Sequence, residues 1–446
     1  MKILLLKQGT VVSSKEQKRV DLLIKDGKIV KMAEEILEEG VDEVVDCLGK
    51  FILPGVIDPH VHFRTPGHEH KEDWNSGTAA AVAGGVTTVL DMPNNNPAVT
   101  TREILKAKRE LLQGKSRVNY GLYMGGTMIS ETGETNIDEY VNSDAIGLKV
   151  YMGSSTGSLL ADRLEVLETI FSEASNAGRM VCVHAEDEVL MKEREKMFEG
   201  QDDPSIHAEI RNEEVATRAV KVALDLAKQY GTRLHVCHMS TAGELKLLEA
   251  ARKDGVDVTC EVSPHHLFAD KSELKKQGTY ARMNPPLRSA ENLSALMEGI
   301  RSGAVNMIAT DHAPHTHEEK DQNYWKAPSG VPGVETALPL MLDAVSREEL
   351  QLEDLVRVMC EGPADRFELK GKGKLEVGMD ADVTVVDMGL EQMVENGGPG
   401  ARFTKVQWSL FKGRSLKGWP VMTIVNGEIL LKDGKISDKY VGIEIN

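Results

Sequence analysis

The chain opens with short apolar runs broken by turn residues. ILLLKQGTVV is followed by RVDLLIKDGKIVKMAE, with Asp-Gly at 26–27, and then by VDEVVDCLGK. Asp-Gly between alternating apolar positions predicts a β-hairpin. The C-terminal stretch repeats this pattern in DADVTVVDM and then in VMTIVNGEILLKDGKI, with Asn-Gly at 426–427 and Asp-Gly at 433–434. Two β-rich ends bracket the chain, and their shared pattern suggests that they pair into one small sheet domain. From about Phe51 to Asp365, strand-like apolar runs alternate with amphipathic helical runs. The strand candidates are LPGVIDPHVHF, VTTVLDMP, VNYGLYM, IGLKVYM, RMVCVHAE, RLHVCHMS, VDVTCEV and VNMIATDHAP. Between them lie helical stretches such as TREILKAKRELLQG and EEVATRAVKVALDLAKQYG, several closing on Gly as a helix C-cap does. Eight strands alternating with helices over roughly 250–300 residues is the pattern of a (β/α)8 barrel. A doubly wound open sheet is the alternative, but no G-x-G-x-x-G turn follows the first strand. The expected α/β organisation is a (β/α)8 TIM barrel over residues 53–370, with a small β-sandwich domain built from residues 1–52 and 371–446.

Charge narrows the partners. Lys+Arg 53 against Asp+Glu 70 gives a net −17, which argues against nucleic acid or an anionic membrane as the main partner. An aromatic share of 4% supplies no stacking platform for single strands. Five scattered cysteines without a C-x-x-C pair disfavour both a disulfide scaffold and a cysteine zinc site, and fit a reducing cytoplasm. The N-terminus lacks a signal-peptide pattern, and no apolar run approaches the ~20 residues of a membrane helix. The expected location is cytoplasmic.

His60 and His62 stand two apart in DPHVHFR, so on a strand both imidazoles face one side. They close the first barrel strand, at the rim where this fold carries its site. His184, His238 and Asp311 each follow an apolar run in the same way. Singly, each His could equally be a buried, hydrogen-bonded residue. Together they place four imidazoles and a carboxylate at one rim, a nitrogen and oxygen donor set that suits zinc first. That is more than one open zinc site needs, so a bridged two-metal site is expected. The fourth strand offers Lys149, whose ammonium two dications would repel. Carbamylated by carbon dioxide, it becomes an anionic bridge; otherwise it is a salt-bridged barrel lysine. Arg64 follows His62 by two, so alternation aims a guanidinium at the same cavity, able to hold a carboxylate in bidentate fashion. Cys182, in phase with His184, should fill the interior one layer below, whereas Cys237, out of phase with His238, should face the helices. His265 and His266 have no assigned partner and read as structural or supporting residues.

DPHVHFR, GGVTTVLDMPN, GLKVYMGSSTG, VCVHAE, HVCHMS, TCEVSPHHL, MNPPLR and ATDHAPH occur in order over about 300 residues. Together they resemble the dihydroorotases of the amidohydrolase superfamily, and GKLEVGMDADVTVVD resembles that superfamily's return into its β domain. The resemblance implies two zinc ions held by His60, His62, His184, His238 and Asp311, bridged by a carbon dioxide-derived carbamate on Lys149. It implies a substrate pocket of His62, Arg64, Asn94, Asn284, His315, Ser329 and Gly330, with Asp311 as the proton-carrying catalytic group. Thr65 and Ser329 depart from the residues usual in such proteins. The activity implied is the reversible, zinc-dependent cyclisation of N-carbamoyl-L-aspartate to L-dihydroorotate in pyrimidine (UMP) biosynthesis. A homodimer and a carbamoyltransferase partner are compatible with it. Two alternatives share parts of this picture. An allantoinase or hydantoinase would keep the metal set but typically lacks the Arg of H-x-H-x-R. A non-catalytic assembly protein would be free to lose ligands that are all present here.

Overall fold

Parallel strands buried on both faces need continuous apolar, β-branched runs rather than alternation. MVCVH and VTTVLD have that character, and every residue of both is buried. The computed structural model describes residues 2–155 and 159–445; Thr156 and Gly157, at the end of the GLKVYMGSSTG run, lie outside the described residues. Among the described residues eight barrel strands follow in order: β1 (Val56–Val61), β2 (Val86–Asp91), β3 (Asn119–Leu122), β4 (Leu148–Tyr151), β5 (Met180–His184), β6 (Arg233–Val236), β7 (Val258–Val262) and β8 (Met307–Ile308). They correspond one to one with the eight apolar runs. Consecutive strands pair in parallel, as in Lys149↔Cys182 and Cys182↔His235. After β3 a short extension, Met124–Gly126, passes the pairing on to β4. The ring closes where the His62 amide donates to the His312 carbonyl at 2.8 Å.

The covering helices start and stop on local chemistry. Thr101 and Asn212 accept the Ile104 and Val215 amides as N-caps, and Gly231 ends Glu213–Tyr230 in the left-handed conformation at φ 72°. Gly is the residue that adopts this at least cost.

The two chain ends do share a sheet. Val383–Met393 pairs antiparallel with Phe51–Pro54, which pairs in parallel with Thr10–Val12. A second sheet holds the hairpin Asp21–Lys25/Lys28–Ala33, and one apolar cluster including Leu4, Ile24, Ile52, Val385 and Ile424 joins the two. The Asp26-Gly27 and Asn426-Gly427 turns have φ of 52°, 75°, 49° and 81°, the all-positive pattern of a type I′ hairpin. They also pack against each other: a Cβ on Gly27 would sit 2.9 Å from the Asn426 carbonyl oxygen. The two predicted turns thus add a contact between the N-terminal and C-terminal strands to the strand pairing and the shared cluster. None of the described helices is long and apolar enough to cross a membrane, and all five cysteines are free and buried.

Candidate metal centre

The C-terminal ends of the barrel strands bring the expected residues into one cavity. His60, His62, Lys149, His184, His238 and Asp311 line it, together with Arg64, Asn94, Asn284, Ser329 and Gly330. His60 and His62 both present Nε2 to Asp311 Oδ1, at 3.3 and 2.9 Å. Their Nδ1 atoms are occupied from behind, by Glu261 Oε1 at 2.5 Å and Asn94 Oδ1 at 2.7 Å. Each ring is thereby held with Nδ1 turned outward and Nε2 turned to the cavity, where it meets Asp311 and where it would face a bound metal. On the opposite wall His184 donates from Nε2 to Glu186 Oε2 at 2.9 Å, which turns its Nδ1 to within 3.0 Å of His238 Nε2.

Burial pushes His62 down to about 4 and holds His184 and His238 below the ordinary imidazole value. These rings are neutral donors at neutral pH. Burial raises Asp311, but the His60 and His62 imidazoles outweigh it and hold its carboxyl well below the usual range. Lys149 is fully buried, and its Nζ has no hydrogen-bond partner among the described residues. Its neighbours are the Cys237 thiol and the Tyr151 ring, whose centroid lies 5.3 Å from Nζ, and no carboxylate stands within ion-pair distance of it among the described residues, a costly setting for an ammonium. Four inward-facing imidazoles, an ionised carboxylate and an orphaned lysine amine fit divalent cations and a carbamate; the ligand atoms of His60, His238 and Asp311 lie within 4.8 Å of one another.

Backbone strain does part of the aiming. Arg64, His238 and Asp311 have φ of 61°, 34° and 47°, the left-handed region that non-glycine residues avoid. Arg64 therefore reaches the cavity through a kinked backbone rather than by simple strand alternation. The same feature corrects the reading of Cys237. Alternation from His235 already points Cys237 inward, and the kink at His238 brings that side chain in as well. Cys237 accordingly lies within ligand distance of His60 and Glu261 rather than facing the helices. Cys182 packs in the interior with Tyr123, as expected.

His315 is placed behind Arg64 rather than on the cavity wall. Its Nε2 lies 3.3 Å from Arg64 Nη2 and 3.1 Å from the Ser329 carbonyl oxygen, and its ring is fully buried. Gly330 holds φ 142°, and a Cβ there would lie 2.3 Å from the Ala313 carbonyl oxygen, so only glycine fits this approach. His266 donates to the Pro285 carbonyl at 3.0 Å on the short helix Pro264–Phe268, away from the cavity.

Sequence reasoning missed the supporting carboxylates. Glu261 accepts from His60, from His235 Nε2 at 3.0 Å and from the His238 amide at 3.1 Å. Asp58 ties β1 to β8 through the Thr310 amide and hydroxyl at 3.0 and 2.6 Å. A lone Glu inside the apolar run VDVTCEV and a Glu two after His184 are signals that could have found Glu261 and Glu186.

The amidohydrolase family model matches residues 51–430. The chain is 36% identical over 431 residues to a dihydroorotase of Methanosarcina mazei, covering 94% of this chain and 92% of that one. It is 36% identical over 412 residues to a dihydroorotase of Bacillus cereus, covering 92% and 93%. Among solved structures it superposes on an L-hydantoinase (dihydropyrimidinase) from Arthrobacter aurescens with a TM-score of 0.95, at 30% identity over 100% of both chains. A dihydropyrimidinase from Brevibacillus agri follows the same path at a TM-score of 0.91 and 26% identity, covering 99% of this chain and 98% of that one. The barrel with its two-ended β domain is therefore shared with these structures, and the chain belongs to the amidohydrolase family, on its dihydroorotase branch.

Proposed function

We propose that the chain interconverts L-dihydroorotate and N-carbamoyl-L-aspartate in pyrimidine biosynthesis, as a zinc-dependent cytoplasmic enzyme. The observation that carries the reading is Arg64. Its guanidinium is fully enclosed at the cavity, bonded to the Pro314 carbonyl and His315, with Nε unpartnered and no carboxylate within ion-pair distance among the described residues. A buried cation lacking its counter-charge fits a substrate that brings a carboxylate. Dihydroorotate carries one on its ring; hydantoin and dihydrouracil do not.

His60, His62 and Asp311 would hold one ion, His184 and His238 the other, with carbamylated Lys149 between them. Two bound zinc ions supply Lewis-acid polarisation of the ring amide and water of lowered pKa. Asp311, held ionised by the surrounding imidazoles, accepts the proton of the attacking water and delivers it to the ring nitrogen as the C–N bond breaks. Ring closure runs the same transfers backward, with Asp311 taking the proton from the carbamoyl nitrogen. Arg64 fixes the ring through its carboxylate, and the Pro314 carbonyl, which accepts from its guanidinium, and the buried His315 ring beside it keep the guanidinium in place. Asn284, Ser329 and Gly330 form the facing wall. The test is turnover by the purified, zinc-loaded protein of dihydroorotate, allantoin, hydantoin and dihydrouracil. The expected result is preference for dihydroorotate; preference for allantoin or a neutral ring overturns the reading.

A further inference from the structure

Two of the inward-facing imidazoles are backed by buried carboxylates, and the two carboxylates are in different electrostatic states. Glu186, behind His184, is also hydrogen-bonded to the Arg211 guanidinium, so its charge is already neutralised. Glu261, behind His60, has no lysine or arginine partner among the described residues. Its neighbours are the His60 and His235 rings and the His238 amide. Both carboxylates are fully buried. A carboxylate behind a ligating imidazole makes that nitrogen a stronger donor, and a fixed cation beside the carboxylate cancels the effect. An uncompensated buried carboxylate is itself costly, and a nearby cation offsets that cost. The His184 side has a second deficit, because His238 Nδ1 has no hydrogen-bond partner among the described residues to orient the ring.

We propose that Glu261 is a positioning residue that widens the difference between the two metal positions: the ion held by His60, His62 and the anionic Asp311 is made tighter still, and the ion held by His184 and His238 is left the looser. The inference rests on the two-metal reading above. It concerns affinity at each position, and the shared Lys149 bridge does not decide it.

The experiment is staged removal of zinc from the loaded protein with a chelator of graded strength, reading zinc per chain. Wild type should lose its two ions in two steps. Glu261→Gln should weaken the tighter step by ~10–100-fold, the usual cost of losing a supporting carboxylate, whereas Glu186→Gln should move the looser step by less than ~3-fold. Gln fits at 261: its oxygen accepts from His60, and its amide donates to His235 Nε2 once that ring donates from Nδ1 to Thr259, 2.9 Å away. Far-UV circular dichroism and melting of the metal-free variants separate loss of affinity from loss of fold. Should Glu261→Gln not fold, His184→Asn serves: the ion it retains should keep the tighter constant, and retention at the looser one overturns the proposal. Indistinguishable affinities in wild type, or a larger effect of Glu186→Gln than of Glu261→Gln, overturn this inference alone. Absence of any bound transition metal overturns the two-metal reading itself.

Discussion

A guanidinium enclosed with no carboxylate within ion-pair distance among the described residues is held at an energetic cost, and that cost is what the proposed role of Arg64 rests on. Charge-assisted hydrogen bonds contribute about 1.5–3 kcal/mol. Arg64→Met should therefore lower kcat/KM for dihydroorotate by at least ~10-fold, since about 1.36 kcal/mol is a factor of ten. Turnover of a neutral ring should change much less, and zinc content should not change, because Arg64 is no ligand; equal losses on both rings would assign Arg64 a purely positional role. Lys149 makes a second prediction. Lys149→Ala removes the only group that the fourth strand offers as a bridge, so zinc should fall from about two to about one per chain, with loss of activity. Two retained ions would remove Lys149 from the site. The candidate ligands are legible in the sequence because each closes an apolar run, and a barrel collects such positions at one rim. Counting phase back from His238 misplaces Cys237, because the φ of 34° at His238 breaks the alternation. Strain of that kind leaves no mark in a hydrophobic pattern. Glu261 and Glu186 are hard to read for a different reason: a carboxylate in an apolar strand declares a role only once its partner is known.

At the level of elements, the strands are legible because each is an unbroken apolar run, and the hairpins because Asp-Gly and Asn-Gly demand left-handed backbone. The loop near 397–403 shows only its glycines in the sequence. The structure shows what holds it. Glu335 accepts the Arg402, Phe403 and Thr404 amides at 3.0, 2.8 and 2.7 Å, and Glu72 accepts the Thr404 hydroxyl at 2.5 Å and the Lys405 amide at 3.1 Å. Further along, Trp408 donates to the His315 carbonyl at 2.9 Å, so the segment continues to the residue that supports Arg64. Burial, with the nearby Glu72 carboxylate adding to it, pushes Glu335 up to about 7 against the pull of its three amides. A carboxyl raised from 4.5 to about 7 binds its proton more tightly folded than unfolded. Its contribution is therefore complete below about 4.5 and is lost as pH rises through 7, on the order of 1–3 kcal/mol. Melting temperatures of wild type and Glu335→Gln, taken in parallel from pH 5 to 8, should show the wild-type advantage shrinking as pH rises. A difference independent of pH would mean that Glu335 is ionised throughout.

Across the whole molecule, the boundaries expected from the sequence at about 53 and 370 raise a physical question, whether they mark an independent folding unit. We infer that they do not. The barrel and the β domain share hydrogen bonds that neither can satisfy alone: the Thr384 hydroxyl donates to the Gly85 carbonyl at 2.7 Å, and the Thr423 hydroxyl to the Val82 carbonyl at 2.9 Å. Asp382, from the C-terminal segment, accepts from Asn119 on β3 at 2.9 Å and from Lys372 at 2.6 Å. The apolar core is continuous as well, since Val386, Val425 and Leu431 belong to the same buried cluster as Val82 and Val86. Cutting the chain to residues 53–370 would expose that apolar face, remove one of the two donors to the Val82 carbonyl, which keeps the Gly85 amide, and take the partners of the Gly85 carbonyl and the Asn119 amide, at about 1–3 kcal/mol for each group left unpaired and buried. It would also remove Val383–Met393, the antiparallel neighbour of Phe51–Pro54, where the chain enters β1. Against a typical net stability of about 5–15 kcal/mol, a handful of such losses is decisive. The isolated 53–370 segment should therefore be aggregated or lack a cooperative melt even with zinc added, while the full chain melts with barrel and β domain together. A soluble, zinc-binding 53–370 fragment with its own sharp transition would show that the β domain is an appendage rather than part of the fold that holds the metal site.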